Sequence, residues 1–131
     1  MQGKTIILDF DGTLVENKWP DIGDWMPGAI KAVTRLHDAG FKLMVFSARL
    51  SPVDPFTHED RNPADVITEI QRVRNKLDSA GLTYIDIWTK PGKPGGWLYI
   101  DDRGERYHGR ATSWDKLTDK VLMRAGEEVE V

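Results

Sequence analysis

Residues 5–17 read TIILDFDGTLVEN: four β-prone residues, two aspartates one position apart, then a glycine. The run 5–8 is short and apolar, as expected of a strand covered on both faces. Asp9 and Asp11 fall where that strand runs out. Two like charges at the edge of a core are unfavourable unless something positive lies between them. The stretch therefore asks for a cation, a reaction or a simple turn.

Working outward, "FKLMVF" (41–46) and "WLYI" (97–100) are two more continuous apolar runs. "TYIDIW" (83–88) alternates, with Ile85 and Ile87 on one face, and reads as a strand near the sheet edge. Three helical patterns lie between and after these runs. Ile30, Val33 and Leu36 share a face, as do Val66, Ile70, Val73 and Leu77, and then Trp114, Leu117 and Val121. Each pattern ends at an Ala-Gly pair: Ala39-Gly40, Ala80-Gly81 and Ala125-Gly126. Glycine just past a helix accepts the left-handed conformation that other residues resist. Pro27 opens the first helix, Asn62 caps the second with Pro63 in its first position, and Thr112 or Ser113 caps the third. Strands alternating with helices through short connections predict a mostly parallel sheet flanked by helices, a Rossmann-like three-layer α/β sandwich.

With 131 residues, 40% hydrophobic and 30% charged, the chain is predicted to form a single domain over 1–126, followed by an acidic tail, 127–131. The net charge of −3 offers no general attraction to nucleic acid or anionic membrane. The absence of cysteine removes thiolate metal sites, disulfides and thiol catalysis, and suits a reducing, cytoplasmic setting. No apolar run approaches membrane-spanning length, and the first eleven residues are too charged for a signal peptide.

In open parallel sheets, ligands bind at the carboxyl ends of the strands. The first strand ends in Asp9, the second in "FSAR" with Ser47, and the last in "IDDR" with Asp101 and Asp102. Lys90 and Lys93, in "TKPGKPGG", precede that last strand. Each has a duller reading alone. Asp-x-Asp-Gly is common in turns, Ser47 is a natural cap, Asp101-Asp102 suits a solvated turn and the lysines suit the surface. A calcium loop does not fit, because a strand precedes Asp9 and the twelfth position is Pro20 rather than glutamate. Their joint placement on one sheet edge sets them apart.

In that order these elements resemble the haloacid dehalogenase (HAD) superfamily of phosphohydrolases and phosphotransferases, over residues 4–115. Its first motif, D-x-D-G-T, stands here as Asp9-Phe10-Asp11-Gly12-Thr13. Its Ser/Thr after a strand matches Ser47, its lysine matches Lys93 better than Lys90, and its acidic pair matches Asp101-Asp102. The resemblance implies Asp9 as nucleophile, forming an aspartyl-phosphate, and as a metal ligand. It implies Asp11 as acid and then base, with its main-chain carbonyl on the metal. Asp101 is then a metal ligand, with Asp102 supporting it or holding the lysine. Ser47 and Lys93 hold phosphate oxygens, beside the neighbouring Ala48 and Arg49. Gly12 admits the backbone to the phosphate and Thr13 braces the loop. The implied cofactor is Mg2+, a hard ion suited to carboxylates, phosphate oxygens and water. An aspartate at position 11 favours phosphoryl transfer over dehalogenation, since a halide leaves without a proton.

Fourteen residues, 14–27, separate Thr13 from Gly28, too few for the cap domain common in that superfamily. Residues 50–83 hold one loop and one helix. A capless, open site is expected, taking a small phosphorylated molecule or a nucleic-acid end, with no membrane and no evident protein partner, as a monomer or homo-oligomer. A polynucleotide 3′-phosphatase is the runner-up; a receiver-like module or a non-catalytic phosphate or metal binder are readings of other classes. The loop 51–63 is free to cover the mouth, with His58 and Arg61 read as solvated. His37 reads as structural, and His108 has no assigned role. Arg49 and Arg103 offer either a second phosphate contact or neutralisation of the acidic cluster, with the second favoured. Trp19 and Trp25 lie beside the first motif.

Overall fold

A computed structural model describes residues 4–54, 56–92, 94–101 and 111–129. The predicted apolar runs become β1 (Thr5–Leu8), β4 (Lys42–Val45) and β6 (Leu98–Ile100), and the alternating segment contributes a two-residue β5 (Asp86–Ile87). They form one parallel sheet in the order β5-β4-β1-β6. β1 is central, with Leu8 paired to Val45 on one side and Ile100 on the other. Ile6, Ile7 and Leu8 are at most 1% exposed, which is why no polar residue interrupts the strand before Asp9. As predicted, β5 is an edge strand.

Between β1 and the first helix the chain makes an antiparallel hairpin, β2 (Val15–Lys18) and β3 (Asp21–Trp25), that periodicity did not announce. Only Val15 of β2 is buried, so the pair carries no alternating apolar signal. Gly23 is what lets the two strands meet, because a Cβ there would lie 2.3 Å from the Glu16 carbonyl oxygen.

Helix α1 (Ala29–Asp38) begins after Gly28, which takes a left-handed φ of 81°, so Pro27 lies before the cap rather than in the first turn. Its buried stripe is Ala29, Ala32, Val33 and Leu36; Ile30, grouped with Val33 and Leu36 by spacing, is exposed. Helix α2 (Pro63–Ser79) starts as predicted, with Ala64 N–H donating to the Asn62 side chain at 2.9 Å. Gly40 and Gly81 follow the first two helices with positive φ.

Helix α3 (Ala111–Val129) departs from the expectation at both ends. It starts ahead of Thr112 and Ser113, and it passes through Gly126 into the segment read as a tail. Glycine permits a left-handed stop without imposing one; inside a helix it costs ~1 kcal/mol against alanine, and the glutamates that follow are good helix formers. Trp114, Leu117 and Val121 are buried as expected. α1 and α3 pack on each other, and Trp114, fully buried, reaches the first motif: its indole N–H donates to the Thr13 carbonyl at 3.3 Å. Among the described residues no helix is long and apolar enough to cross a membrane.

Candidate functional site

The loop after β1 is a tight, self-bonded turn. Asp9 N–H donates to the Ile100 carbonyl at 3.1 Å and so extends the β1–β6 ladder by one rung. The Phe10 carbonyl accepts from the N–H groups of Thr13, Leu14 and Val15, and Gly12 N–H donates to Val15 at 2.8 Å. Gly12 holds φ at 83°, a conformation that costs a side-chain-bearing residue ~1–2 kcal/mol. Phe10, fully buried, anchors the loop from below, while Asp9 and Asp11 on either side of it face a cleft of about 510 Å³.

Ser47 and Ala48 reach the same cleft from the end of β4. The Ser47 hydroxyl accepts from Arg49 N–H at 3.3 Å, capping a short 3-10 turn, Ala48–Leu50. It is thus both the cap of the simple reading and a wall of the cleft. Asp101 follows β6 directly, so the β1–β6 register puts it beside Asp9 at the same sheet edge. Among the described residues no three acidic or histidine side chains converge as a ready-made metal cage. Lys93, Asp102, Arg103 and His108 lie outside the described residues. Lys90 is exposed, its ammonium sits 5.7 Å from the Trp88 ring, and neither residue lines the cleft.

Thr13 and Arg49 take the bracing and neutralising roles rather than those of phosphate contacts. Thr13 is 1% exposed and lies under the loop, where its carbonyl receives Trp114, so it braces the turn and does not face a ligand. Arg49 is a buried strut. Its Nε and one terminal nitrogen grip both Asp11 oxygens, at 3.0 and 2.8 Å. Its other N–H groups donate to Glu69 at 2.7 Å and to the carbonyls of Pro20 and Asp21 at 3.0 and 2.9 Å. A guanidinium has five N–H donors, and these five bonds use them all, leaving none for a phosphate. Burial works against the charge, but the hydrogen bonds and proximity of Asp11 and Glu69 outweigh it, and the Arg49 pKa stands above the ordinary arginine value. The neutralising reading of Arg49 is the one the geometry supports.

This network ties together four stretches far apart in sequence: the first motif, the hairpin turn, the 3-10 turn and α2. Glu69 is also held by Arg72 at 2.5 Å. The indole of Trp19 lies on the Arg49 guanidinium, 4.7 Å from its carbon. Arg61, also on the cleft wall, donates to the carbonyls of Arg49 and Ser51 at 2.7 and 2.9 Å and fastens the loop after β4. His37 stacks on Tyr84 at 3.7 Å, away from the cleft, a structural role as expected. His58 stands in the exposed loop with φ of 60°.

The residues that sequence reasoning passed over are Asn17, Asp54 and Phe56 on the cleft wall and Glu69 beneath it. Asn17, Asp54 and Glu69 are common surface residue types, and none of the four has a motif around it. Only the fold brings them to the site.

No family model matches the chain, and no curated protein does. Among solved structures, a conserved protein from Bacteroides thetaiotaomicron superposes with a TM-score of 0.59 at 24% identity, over 92% of this chain and 91% of that one. At that identity the likeness establishes a shared α/β fold.

Proposed function

We propose that this chain is a magnesium-dependent phosphohydrolase of the HAD type, cleaving phosphate monoesters through an aspartyl-phosphate on Asp9. The observation that carries the reading is the convergence of Asp9, Asp11 and Ser47 on one cleft at the carboxyl edge of the parallel sheet. The cysteine-free chain suits a reducing cytoplasm.

The donors at this edge fit a hard divalent cation. Asp9 and Asp101 offer carboxylates from adjacent strand ends, and Asp11 offers its main-chain carbonyl. Magnesium uses one or two carboxylates with waters and phosphate oxygens rather than an all-protein cage. When bound, it would offset the charge of the phosphoryl group facing two aspartates.

In the first half-reaction an Asp9 oxygen attacks phosphorus, the bond to the leaving oxygen breaks, and that oxygen takes a proton from Asp11. In the second, Asp11 takes a proton from water as the water oxygen attacks the phosphorus on Asp9, releasing phosphate and restoring the carboxylate. The Arg49 grip bears on both halves. Each Asp11 oxygen keeps a lone pair beyond the one Arg49 occupies, so Asp11 can accept from water while paired. Donating a proton requires one oxygen to be released from the guanidinium. Ser47, at the start of the next loop, would hold a phosphate oxygen.

Mass spectrometry of quenched protein tests the assignment. With an aryl phosphate and Mg2+, Asp11→Asn is expected to retain phosphate on Asp9 and to turn over ~10²–10⁴-fold more slowly, the usual contribution of an acid–base group. Asp9→Asn is expected never to be labelled, and excess chelator to abolish wild-type turnover. Phosphate trapped on Asp9→Asn, wild-type turnover by Asp11→Asn, or undiminished activity in chelator overturns the reading.

A further inference from the structure

The phosphate chemistry uses only part of the cleft. Trp19 and Phe56 line the same cavity as Asp9 and Asp11, and are 58% and 91% exposed. Large aromatic side chains left in water forgo the burial that ordinarily stabilises a fold, and these two line one cavity.

Neither is carried on a slack segment. One face of the Trp19 indole rests on the Arg49 guanidinium, which its own five bonds fix in place, so the exposed area is the other face and the edges. Phe56 is carried on a closed loop. Phe56 and Thr57 N–H groups both donate to Asp54 Oδ1, at 2.8 and 3.2 Å. His58 N–H donates to the Asp54 carbonyl at 2.9 Å, Asp54 N–H to Glu59 at 2.8 Å, and Arg61 N–H to Pro52 at 2.9 Å. A braced platform and a ring on a braced main chain, with the polar side chains of Asn17, Asp54 and Arg61 lining the same cleft, suit a flat aromatic group with polar edges.

We infer that the ligand of this cleft is a nucleoside monophosphate, its phosphate at Asp9 and Ser47 and its base against Trp19 and Phe56. The inference rests on the phosphatase reading for its phosphate half. A cavity of about 510 Å³ is of the size that holds such a molecule. The net charge of −3 argues against a long polyanion in its place.

Calorimetry on the Asp9→Asn protein with Mg2+ tests this without turnover. The ligands are 5′-AMP, 3′-AMP, adenosine, ribose 5-phosphate, phenyl phosphate and a 3′-phosphorylated oligonucleotide. At least one AMP isomer is expected to bind about 5–150-fold tighter than ribose 5-phosphate, the increment typical of base stacking on an aromatic side chain. Trp19→Leu and Phe56→Leu, which keep apolar bulk but remove the ring, are expected to collapse that ratio towards one. AMP and ribose 5-phosphate binding within twofold of each other, or neither binding, overturns the inference. So does phenyl phosphate binding as tightly as AMP, which gives the aromatic half to the leaving group. Oligonucleotide binding more than tenfold tighter than AMP, with steep salt dependence, replaces the mononucleotide with a nucleic-acid end. Failure of the phosphatase reading has a different signature: no turnover of an aryl phosphate by the wild type, and adenosine binding as well as AMP.

Discussion

Replacing Arg49 with methionine removes the charge and all five donors while keeping an unbranched chain of similar length under Trp19. The Arg49 side chain is 0% exposed, and its two carboxylate partners, Asp11 and Glu69, are 16% and 13% exposed. Truncating one member of a buried ion pair typically costs 3–5 kcal/mol, because the partner charge is left without compensation. Here Glu69 keeps Arg72, so the orphaned charge is chiefly that of Asp11, which retains some access to water. The lower end, about 3 kcal/mol, is expected. For a chain of this length each kcal/mol moves Tm by roughly 3–5 °C, so Tm is expected to fall by roughly 10–15 °C. Urea unfolding followed by far-ultraviolet circular dichroism measures the loss directly. Adding Asp11→Asn to Arg49→Met removes the orphaned charge, and the double variant is expected to be more stable than Arg49→Met alone. A loss under about 1 kcal/mol, or a double variant less stable than the single, refutes the argument from uncompensated charge.

Gly23→Ala places a Cβ 2.3 Å from the Glu16 carbonyl oxygen, main chain that no rotamer change can move, so a loss near ~3 kcal/mol is expected by denaturant titration; a loss below ~1 kcal/mol would contradict the hairpin register. Backbone hydrogen bonds from Phe56 and then Thr57 hold the Asp54 carboxyl below the ordinary aspartate value of 3.8. A depressed carboxylate supports the loop fully above 3.8 and loses that support as pH falls through its lowered value. The Phe56 and Thr57 amide resonances are expected to titrate with a midpoint below 3.8 and not to titrate in Asp54→Asn; a midpoint at or above 3.8 counts against the turn. Lys93→Ala is expected to lose more activity than Lys90→Ala, judged by kcat on an aryl phosphate, because its spacing to Asp101 fits the motif and Lys90 lies against Trp88. The reverse order would exchange their roles.

What the sequence disclosed follows from the range of the forces involved. Buried parallel strands are nearly all apolar, so Ile6, Ile7 and Leu8 mark β1 without help from any other residue. Asn62-Pro63 marks a helix start for the same local reason. The hairpin escaped notice because its stability comes from main-chain pairing and one buried valine, with Glu16, Asn17 and Lys18 in solvent. At the site, Asp9, Asp11 and Ser47 were legible because a sheet edge orders strand ends in a known way. The partners of Arg49 were not. Asp11, Pro20, Asp21 and Glu69 reach it from three other elements, and no local pattern in any of them records the meeting. Phe56 escaped for a related reason, since an aromatic in a polar loop gives no sign of which cavity it will overlook.

The central place of β1 has a consequence for how the chain reaches its fold. The strand is made first among the sheet elements, yet Ile6 pairs with Leu43 and Leu98, which follow it by 37 and 92 residues. Such non-local pairing slows folding, since loop-closure entropy is lost before the contacts form. At a synthesis rate of ~5–20 residues per second, the β6 side of β1 waits on the order of 5–20 s for its partner. Throughout that interval Ile6, Ile7 and Leu8 present an apolar strand with an open edge, the kind of surface that recruits other strands. The last strand to arrive, β6, covers that edge of β1 and leaves only a three-residue edge of its own, too short to recruit strands readily. Chains interrupted before Leu98 are the ones that should collect in aggregates.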